Sequence, residues 1–181
     1  MATAIPLSKS IVLIGLMGAG KTSVGRRLGK RLDLPFADAD KEVVIAAGCS
    51  IDDIFELYGE SAFRELERRV IGRLINGEQK ILATGGGAFM DAEVRALIKN
   101  KGVSIWLRAD LELLSRRTQG RGGRPLLAND DPSATLRKLM DKRYPVYAEA
   151  DIIIDGRNET PAETTKRAVE AIAANLTKGP Q

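Results

Sequence analysis

The 181-residue sequence contains no histidine and a single cysteine, Cys49. The absence of histidine excludes Ser-His-Asp triads, histidine-ligated metals and imidazole general bases. One cysteine cannot form an intramolecular disulfide and does not support a cysteine-ligated zinc site, so we interpret Cys49 as an inert small residue at a turn. Any acid–base chemistry must therefore use a carboxylate or a lysine.

The chain also has no long hydrophobic run. None of its apolar stretches approaches the roughly 18 residues that a membrane span requires. Residues 1–10 contain neither the long apolar segment nor the cleavage site of an export signal. We therefore expect a cytoplasmic protein that does not enter a membrane.

Aromatic residues make up only 4% of the chain, whereas the formal net charge is +4. A nucleic-acid-binding protein usually combines a basic stripe with stacking aromatics, and this chain has few aromatics to offer. Its arginines instead occur in short groups such as Arg116, Arg117, Arg121 and Arg124. This pattern favours a small polyanion as the ligand and predicts no nucleic-acid partner.

Residues 15–22, Gly-Leu-Met-Gly-Ala-Gly-Lys-Thr, have the spacing of a phosphate-binding loop and stand between an apolar run and a helical pattern. In such a loop the backbone N–H groups and the positive end of the next helix face phosphate oxygens. Lys21 would reach the β- and γ-phosphates, and the hydroxyl of Thr22 would hold Mg²⁺. The alternative is a tight glycine turn without a ligand.

Five β-prone runs alternate with helical patterns, at residues 10–14, 36–40, 80–84, 103–107 and 152–154. The alternation predicts a three-layer α/β/α fold with a five-stranded parallel sheet, in a single domain over residues 1–181. We expect 10–14 and 152–154 to be strands buried on both faces. A helix predicted over 133–144 ends before Pro145, which breaks its hydrogen-bond ladder.

Two carboxylates close the second β-prone run. If the backbone stays extended, Asp38 and Asp40 point the same way, just past the carboxyl end of a strand, where open α/β sheets bind ligands. The alternative is that Asp40 only caps the helix that follows, which leaves Asp38 without a role.

The helical pattern over residues 60–76 places Glu67 within its apolar face and Arg64 at the edge of that face. A buried carboxylate requires a partner, and Arg64 is three residues away, within reach of its side chain. We therefore predict a paired, half-buried Glu67, with a solvated surface pair as the alternative.

Two further stretches combine glycine with a position next to a predicted strand or helix. Gly85, Gly86 and Gly87 follow the third strand, which suggests close approach of a ligand or backbone rather than a flexible linker. Residues 119–125 mix glycines with arginines and predict a mobile lid over about 119–131, with an ordinary solvated loop as the alternative. Arg143 ends a helix, where it could also serve only to balance the helix dipole.

Taken in order, these motifs resemble the shikimate kinase family, in the nucleoside monophosphate kinase-like group of P-loop kinases. The resemblance covers nearly the whole chain. It is carried by residues 15–22, by Asp38-Ala39-Asp40, by Phe63-Arg64-Glu65-Leu66-Glu67, by Gly85-Gly86-Gly87, by Arg124-Pro125-Leu126-Leu127 and by Lys142-Arg143-Tyr144-Pro145-Val146-Tyr147.

The resemblance implies ATP-dependent phosphorylation of the 3-hydroxyl of shikimate, giving shikimate 3-phosphate and ADP, in the biosynthesis of chorismate and aromatic amino acids. It implies Asp40 as the general base, with Lys21 and Arg124 as the other catalytic residues. The implied ATP-binding residues are Gly18, Ala19, Gly20, Lys21, Thr22, Ser23, Arg117, Arg124 and Pro161. The implied shikimate-binding residues, within a helical segment of about 40–76 and beyond it, are Asp40, Arg64, Glu67, Gly85, Gly86, Gly87 and Arg143.

The implied metal is Mg²⁺, held by Thr22 and Asp38, because Ala83-Thr84 stands after strand three where a Walker B aspartate is usual. We expect a monomer. Two alternatives remain open: a kinase for another small hydroxy acid such as gluconate or for a nucleotide, and a nucleotide-dependent binding protein that performs no transfer.

Overall fold

The computed structural model describes residues 7–118 and 131–177. Its centre is a parallel sheet of five strands in the order β2-β3-β1-β4-β5. The strands are β1 (Ser10–Ile14), β2 (Phe36–Asp38), β3 (Ile81–Ala83), β4 (Gly102–Arg108) and β5 (Ile152–Asp155). The helices are α1 (Lys21–Leu32), α2 (Ala39–Ala47), α3 (Ile51–Asn76), α4 (Ala92–Lys101), α5 (Leu111–Thr118), α6 (Pro132–Tyr147) and α7 (Pro161–Thr177).

The helices cover both faces of the sheet. α1 packs against α7 on one face, and α3 packs against α4 on the other, as right-handed crossovers between these strands require. β1 is central and every one of its residues is buried. The predicted three-layer α/β/α architecture is therefore confirmed. Among residues 7–118 and 131–177, no helix combines the length and the apolar character needed to cross a bilayer.

The prediction that 152–154 is buried on both faces is wrong. β5 pairs with β4 alone, and its side chains alternate between buried and exposed, with Ile153 40% exposed. The reason is topological, because β5 lies at the sheet edge and packs against α7, which leaves alternate side chains exposed.

The predicted end of the sixth helix is also wrong, since α6 continues through Pro145 to Tyr147. Pro145 removes one backbone donor near the end of the helix, a modest loss at that position. Continuing the helix buries Tyr147 completely, which offsets that loss and places two tyrosines of one motif on the same helix.

Two local features shape α3, which lies between β2 and β3. Ser50 and Asp53 form a reciprocal capping box at the start of α3, as the sequence indicates. Gly59 interrupts α3 with non-helical backbone angles, φ 81° and ψ 174°. α3 therefore consists of two helical segments that meet at a kink at Gly59, in agreement with the helical pattern that begins at residue 60.

Candidate active site

The candidate site is a cleft at the carboxyl edge of the sheet. Because all strands are parallel, the segments that follow β1, β2 and β3 meet at this edge. The cleft has a volume of about 1280 Å³. Its lining includes every predicted site residue that lies within the described ranges, namely Gly18, Ala19, Gly20, Lys21, Thr22, Ser23, Asp38, Asp40, Arg64, Glu67, Gly85, Gly86, Gly87, Arg117, Arg143 and Pro161.

The loop between β1 and α1 has the backbone shape of a phosphate cradle. Gly18 and Gly20 have φ angles of 81° and 99°, a region that side chains rarely allow. Lys21 donates from Nζ to the carbonyl oxygens of Gly15 at 2.7 Å and Leu16 at 3.0 Å. The ammonium therefore lies folded over the loop at the N-terminus of α1.

Asp38 and Asp40 do not project from one extended strand, because α2 begins at Ala39. The capping residue is Asp38, whose Oδ1 accepts from the N–H of Asp40 at 3.2 Å, so the alternative in which Asp40 caps the helix is wrong. The other oxygen of Asp38, Oδ2, accepts from the hydroxyl of Thr22 at 3.1 Å. One carboxylate thus joins the start of α2 to the start of α1.

Arg64 and Glu67 form a close ion pair, with 2.7 Å between Nη1 and Oε2. Glu67 is only 3% exposed, so the prediction of a paired carboxylate is confirmed and the solvated alternative is wrong. Burial raises the pKa of Glu67, an effect that the hydrogen bond and charge of Arg64 oppose. Its second oxygen, Oε1, is buried without a hydrogen-bond partner among the described residues.

The three glycines after β3 leave space that side chains from other elements occupy. A Cβ at Gly85 would lie 2.7 Å from Oδ1 of Asp40, and one at Gly87 would lie 2.5 Å from Nη1 of Arg64. A Cβ at Gly86 would lie 2.9 Å from Nη1 of Arg143. The sequence anticipated close approach here, and the neighbours are the carboxylate and guanidinium groups of α2, α3 and α6.

Comparison with known proteins agrees with this geometry. The shikimate kinase family model matches residues 17–173. The chain belongs to the shikimate kinase family. It is 54% identical over 170 residues to a shikimate kinase of Paramagnetospirillum magneticum (strain ATCC 700264 / AMB-1), covering 94% of this chain and 87% of that protein.

Solved shikimate kinases share the fold over almost the full length. One from Acinetobacter baumannii, in complex with shikimate, has a TM-score of 0.88 and 36% identity, covering 96% of each chain. One from Aquifex aeolicus has a TM-score of 0.80 and 33% identity, covering 94% of this chain and 99% of the other. The expected activity, ATP-dependent phosphorylation of shikimate, is confirmed by this membership. A kinase that uses ATP in this way generally requires a divalent metal ion.

Beside the loop between β1 and α1 of this shikimate kinase family member, Arg117 joins α5 to that loop. Its Nη1 donates to the carbonyl of Ala19 at 3.4 Å, and its Nη2 donates to the carbonyl of Arg157 at 3.3 Å. Pro161 lies on the same side of the cleft. Arg124, like almost all of the predicted lid, lies outside the described residues.

Sequence analysis missed several residues of the cleft. Glu159 lines it and accepts hydrogen bonds from Thr164 and Arg167, which hold the segment before α7. No pattern in the sequence indicates the ion pair between Glu159 and Arg167, because the two residues lie eight positions apart on either side of the start of α7. The cleft also has an apolar wall, which sequence analysis did not assign to the site and which is formed by Val44, Ile51, Phe55 and Phe63.

Proposed function

We propose that this cleft performs shikimate phosphorylation with ATP over residues 15–23 and shikimate over the three glycines that follow β3. The observation that carries the proposal is the convergence of Asp40, Arg64 and Arg143 on Gly85–Gly87, beside the phosphate loop. A cyclic hydroxy acid presents one carboxylate and several hydroxyls, and the three glycines are bordered by two guanidinium groups and two carboxylates.

Arg64 and Arg143 bind the substrate carboxylate through charge-assisted hydrogen bonds, the strongest contacts available to it. Glu67 holds Arg64 in place through the 2.7 Å ion pair, and its buried Oε1 can accept from a substrate hydroxyl. In this proposal the backbone N–H groups of Gly86 and Gly87 also donate to the substrate. A shikimate complex of the A. baumannii relative supports this choice of ligand.

Asp40 acts as the general base for the 3-hydroxyl. As the hydroxyl oxygen forms its bond to the γ-phosphorus, the bond from that phosphorus to the β–γ bridging oxygen breaks and ADP leaves. The hydroxyl proton passes to the Asp40 carboxylate. Asp40 suits this role because it borders Gly85 and because the chain contains no histidine.

Lys21 and the N–H groups of the phosphate loop bind the phosphates of ATP. The Nζ atom, held by the carbonyls of Gly15 and Leu16, is close enough to exchange those partners for β- and γ-phosphate oxygens. Arg124 approaches from the lid of about 119–131 and neutralises charge on the transferring group. Arg117 and Pro161 enclose the adenine.

The divalent metal is Mg²⁺, held by Thr22 and Asp38. Their side chains supply two oxygens 3.1 Å apart, the ligand chemistry that Mg²⁺ prefers. Within residues 7–118 and 131–177 no three His, Cys, Asp or Glu residues form a metal cluster, which fits an ion that takes its other ligands from phosphate and water. When bound, Mg²⁺ neutralises charge on the β- and γ-oxygens.

The proposal includes a single-domain, cytoplasmic enzyme. It also includes a monomer, because all the residues assigned here belong to one chain. Light scattering tests the oligomeric state. ADP release tests the substrate, measured in parallel with shikimate, gluconate and nucleoside monophosphates. We expect turnover with shikimate at least about a hundred-fold faster than with the others. Equal turnover with gluconate would refute this use of the cleft.

A further inference from the structure

Tyr147, the last residue of α6, is completely buried behind the substrate side of the cleft. Its hydroxyl donates a hydrogen bond to the carbonyl oxygen of Gly86. Arg143 precedes it by four residues on the same helix, and the charge and hydrogen bonding of its guanidinium lower the pKa of the same phenol. One hydroxyl therefore contacts a backbone group and a side chain that both lie at the proposed carboxylate site.

The surroundings of Gly86 show how closely these groups meet. A Cβ at Gly86 would lie 2.9 Å from Nη1 of Arg143 and 3.8 Å from the hydroxyl oxygen of Tyr147. The Gly86 peptide belongs to the segment after β3, whereas Arg143 and Tyr147 belong to α6. The phenol is thus a direct link between two elements that each contribute to the substrate side.

Aromatic side chains hold the ring of Tyr147 in place. Ring centroids of Trp106, Tyr144 and Phe89 lie 5.8, 6.1 and 6.4 Å from it, within the range of favourable aromatic contacts. Burial raises the pKa of Tyr147, against the opposing charge of Arg143, so the phenol keeps its proton. It can therefore donate to Gly86 and accept from Arg143 at the same time.

We propose that Tyr147 is a positioning residue for the substrate carboxylate, because its hydroxyl holds the Gly86 peptide and the Arg143 guanidinium in one relative arrangement. This rests on the proposed function, in which Arg143 binds that carboxylate. Tyr147 does for Arg143 what Glu67 does for Arg64. Each arginine of the pair is then oriented by a buried polar group behind it.

The test compares Tyr147→Phe with Tyr144→Phe. Both variants remove one hydroxyl from α6 and keep the aromatic ring, but the hydroxyl of Tyr144 donates to the carbonyl of Ala109. We expect Tyr147→Phe to raise the KM for shikimate about three- to ten-fold, the effect of one lost hydrogen bond. The kcat and the KM for ATP should change less than about two-fold, and Tyr144→Phe should leave all three constants near wild type.

Two further readouts separate positioning from general weakening of the fold. Shikimate methyl ester lacks the carboxylate charge, so Tyr147→Phe should reduce the discrimination between acid and ester by the same factor as it raises KM. In an Arg143→Ala background, Tyr147→Phe should add less than about a two-fold change, because the two residues act as a unit.

An unchanged shikimate KM in Tyr147→Phe, or an equal rise in Tyr144→Phe, would overturn the inference. If Arg143→Ala itself leaves the shikimate KM unchanged, the proposed function fails instead.

A second measurement does not require Tyr147→Phe to fold. It uses the Tyr58→Phe/Tyr144→Phe variant, in which Tyr147 is the remaining one of three tyrosines. A 3-fluorotyrosine label there should change its ¹⁹F shift on saturation with shikimate, and an unmoved resonance would also overturn the inference.

Discussion

The Nη1 atom of Arg64 lies 2.7 Å from Oε2 of Glu67, one turn further along α3. Glu67 is buried, whereas the side chain of Arg64 is 29% exposed and faces the cleft. One side chain of the pair is therefore buried, and the other is accessible to a ligand in the cleft. Because the buried carboxylate restrains the guanidinium, Arg64 can meet a ligand with little further loss of side-chain freedom.

Arg64→Ala should raise the KM for shikimate about ten- to a hundred-fold, since a hydrogen bond between charged groups contributes about 1.5–3 kcal/mol. The effect on kcat should be smaller. Steady-state kinetics with shikimate as the varied substrate measure both. Arg68→Ala is the matched control, because Arg68 lies on the same helix but pairs with Asp91 at 2.9 Å. A similar KM shift in both variants would show that Arg64 acts only through the stability of α3.

Acid pH should weaken shikimate binding through Glu67. Because burial raises its pKa above the ordinary 4.5, Glu67 takes up a proton at a higher pH than an exposed glutamate and then no longer restrains Arg64 by charge. The KM for shikimate should therefore rise as pH falls through this window. In Glu67→Gln the KM for shikimate should be raised at every pH, and its rise with falling pH through this window should disappear. Identical profiles for the two proteins would contradict the assignment.

The same titration should affect stability in the opposite direction. The folded state binds the Glu67 proton more tightly than the unfolded state, so this group's contribution to the free energy of unfolding falls as pH rises through the window. Urea titrations of the wild type and Glu67→Gln across this pH range measure the difference. A contribution that instead grows with pH would mean that the pairing with Arg64 outweighs burial.

Gly87→Ala should weaken shikimate binding with little effect on the stability of the protein. The added methyl would lie 2.5 Å from Nη1 of Arg64, the end of a flexible side chain that can shift. Gly87 has φ −93°, which alanine adopts easily, so the melting temperature should change little. The KM for shikimate should rise at least about ten-fold as Arg64 is displaced. Gly72→Ala in α3 is the control, because its methyl meets only Leu97, at 3.9 Å.

Asp40→Asn should lower kcat by about a hundred-fold or more, the contribution typical of general base catalysis. ATP binding, measured by calorimetry, should be retained, because the phosphate loop belongs to another element. Asp141→Asn, at an exposed position of α6, controls for the loss of one negative charge. A wild-type rate in Asp40→Asn would remove Asp40 from the role of base.

Asp38→Asn should raise the Mg²⁺ concentration needed for half-maximal activity about ten-fold. Asparagine caps helices as well as aspartate does, so α2 should keep its start and the melting temperature should stay within a few degrees. The substitution nevertheless removes the negative charge of Asp38 beside Thr22, so Mg²⁺ should bind more weakly. An unchanged Mg²⁺ requirement would exclude Asp38 from the metal site.

Local sequence signals predicted much of this molecule. The phosphate loop at residues 15–22 could be predicted because its glycines and Lys21 lie within one short segment. The capping box likewise joins two residues that are close in sequence, Ser50 and Asp53. Where local rules failed, packing had overridden them: α6 continues past Pro145 because Tyr147 becomes buried.

The hydrogen bond from Tyr147 to Gly86 spans 61 positions of the chain, and no periodicity or spacing indicates such a pair. The same holds for Thr22 and Asp38, 16 positions apart. Each contact depends on which strands are neighbours in the sheet. Residue spacing therefore indicated a partner only within one helix, as for Arg64 and Glu67, and not for pairs that belong to different elements.

The sequence by itself determined the fold class and the phosphate-loop motif, because hydrophobic period, glycine geometry and charge are properties of short segments, and its resemblance to the shikimate kinase family supplied the residues assigned to the site. Only the tertiary structure decided that Asp38 caps α2, that β5 is an edge strand and that a buried phenol stands behind Arg143. Those outcomes depend on the strand order β2-β3-β1-β4-β5, which brings distant segments to one edge and decides which side chains lose contact with water.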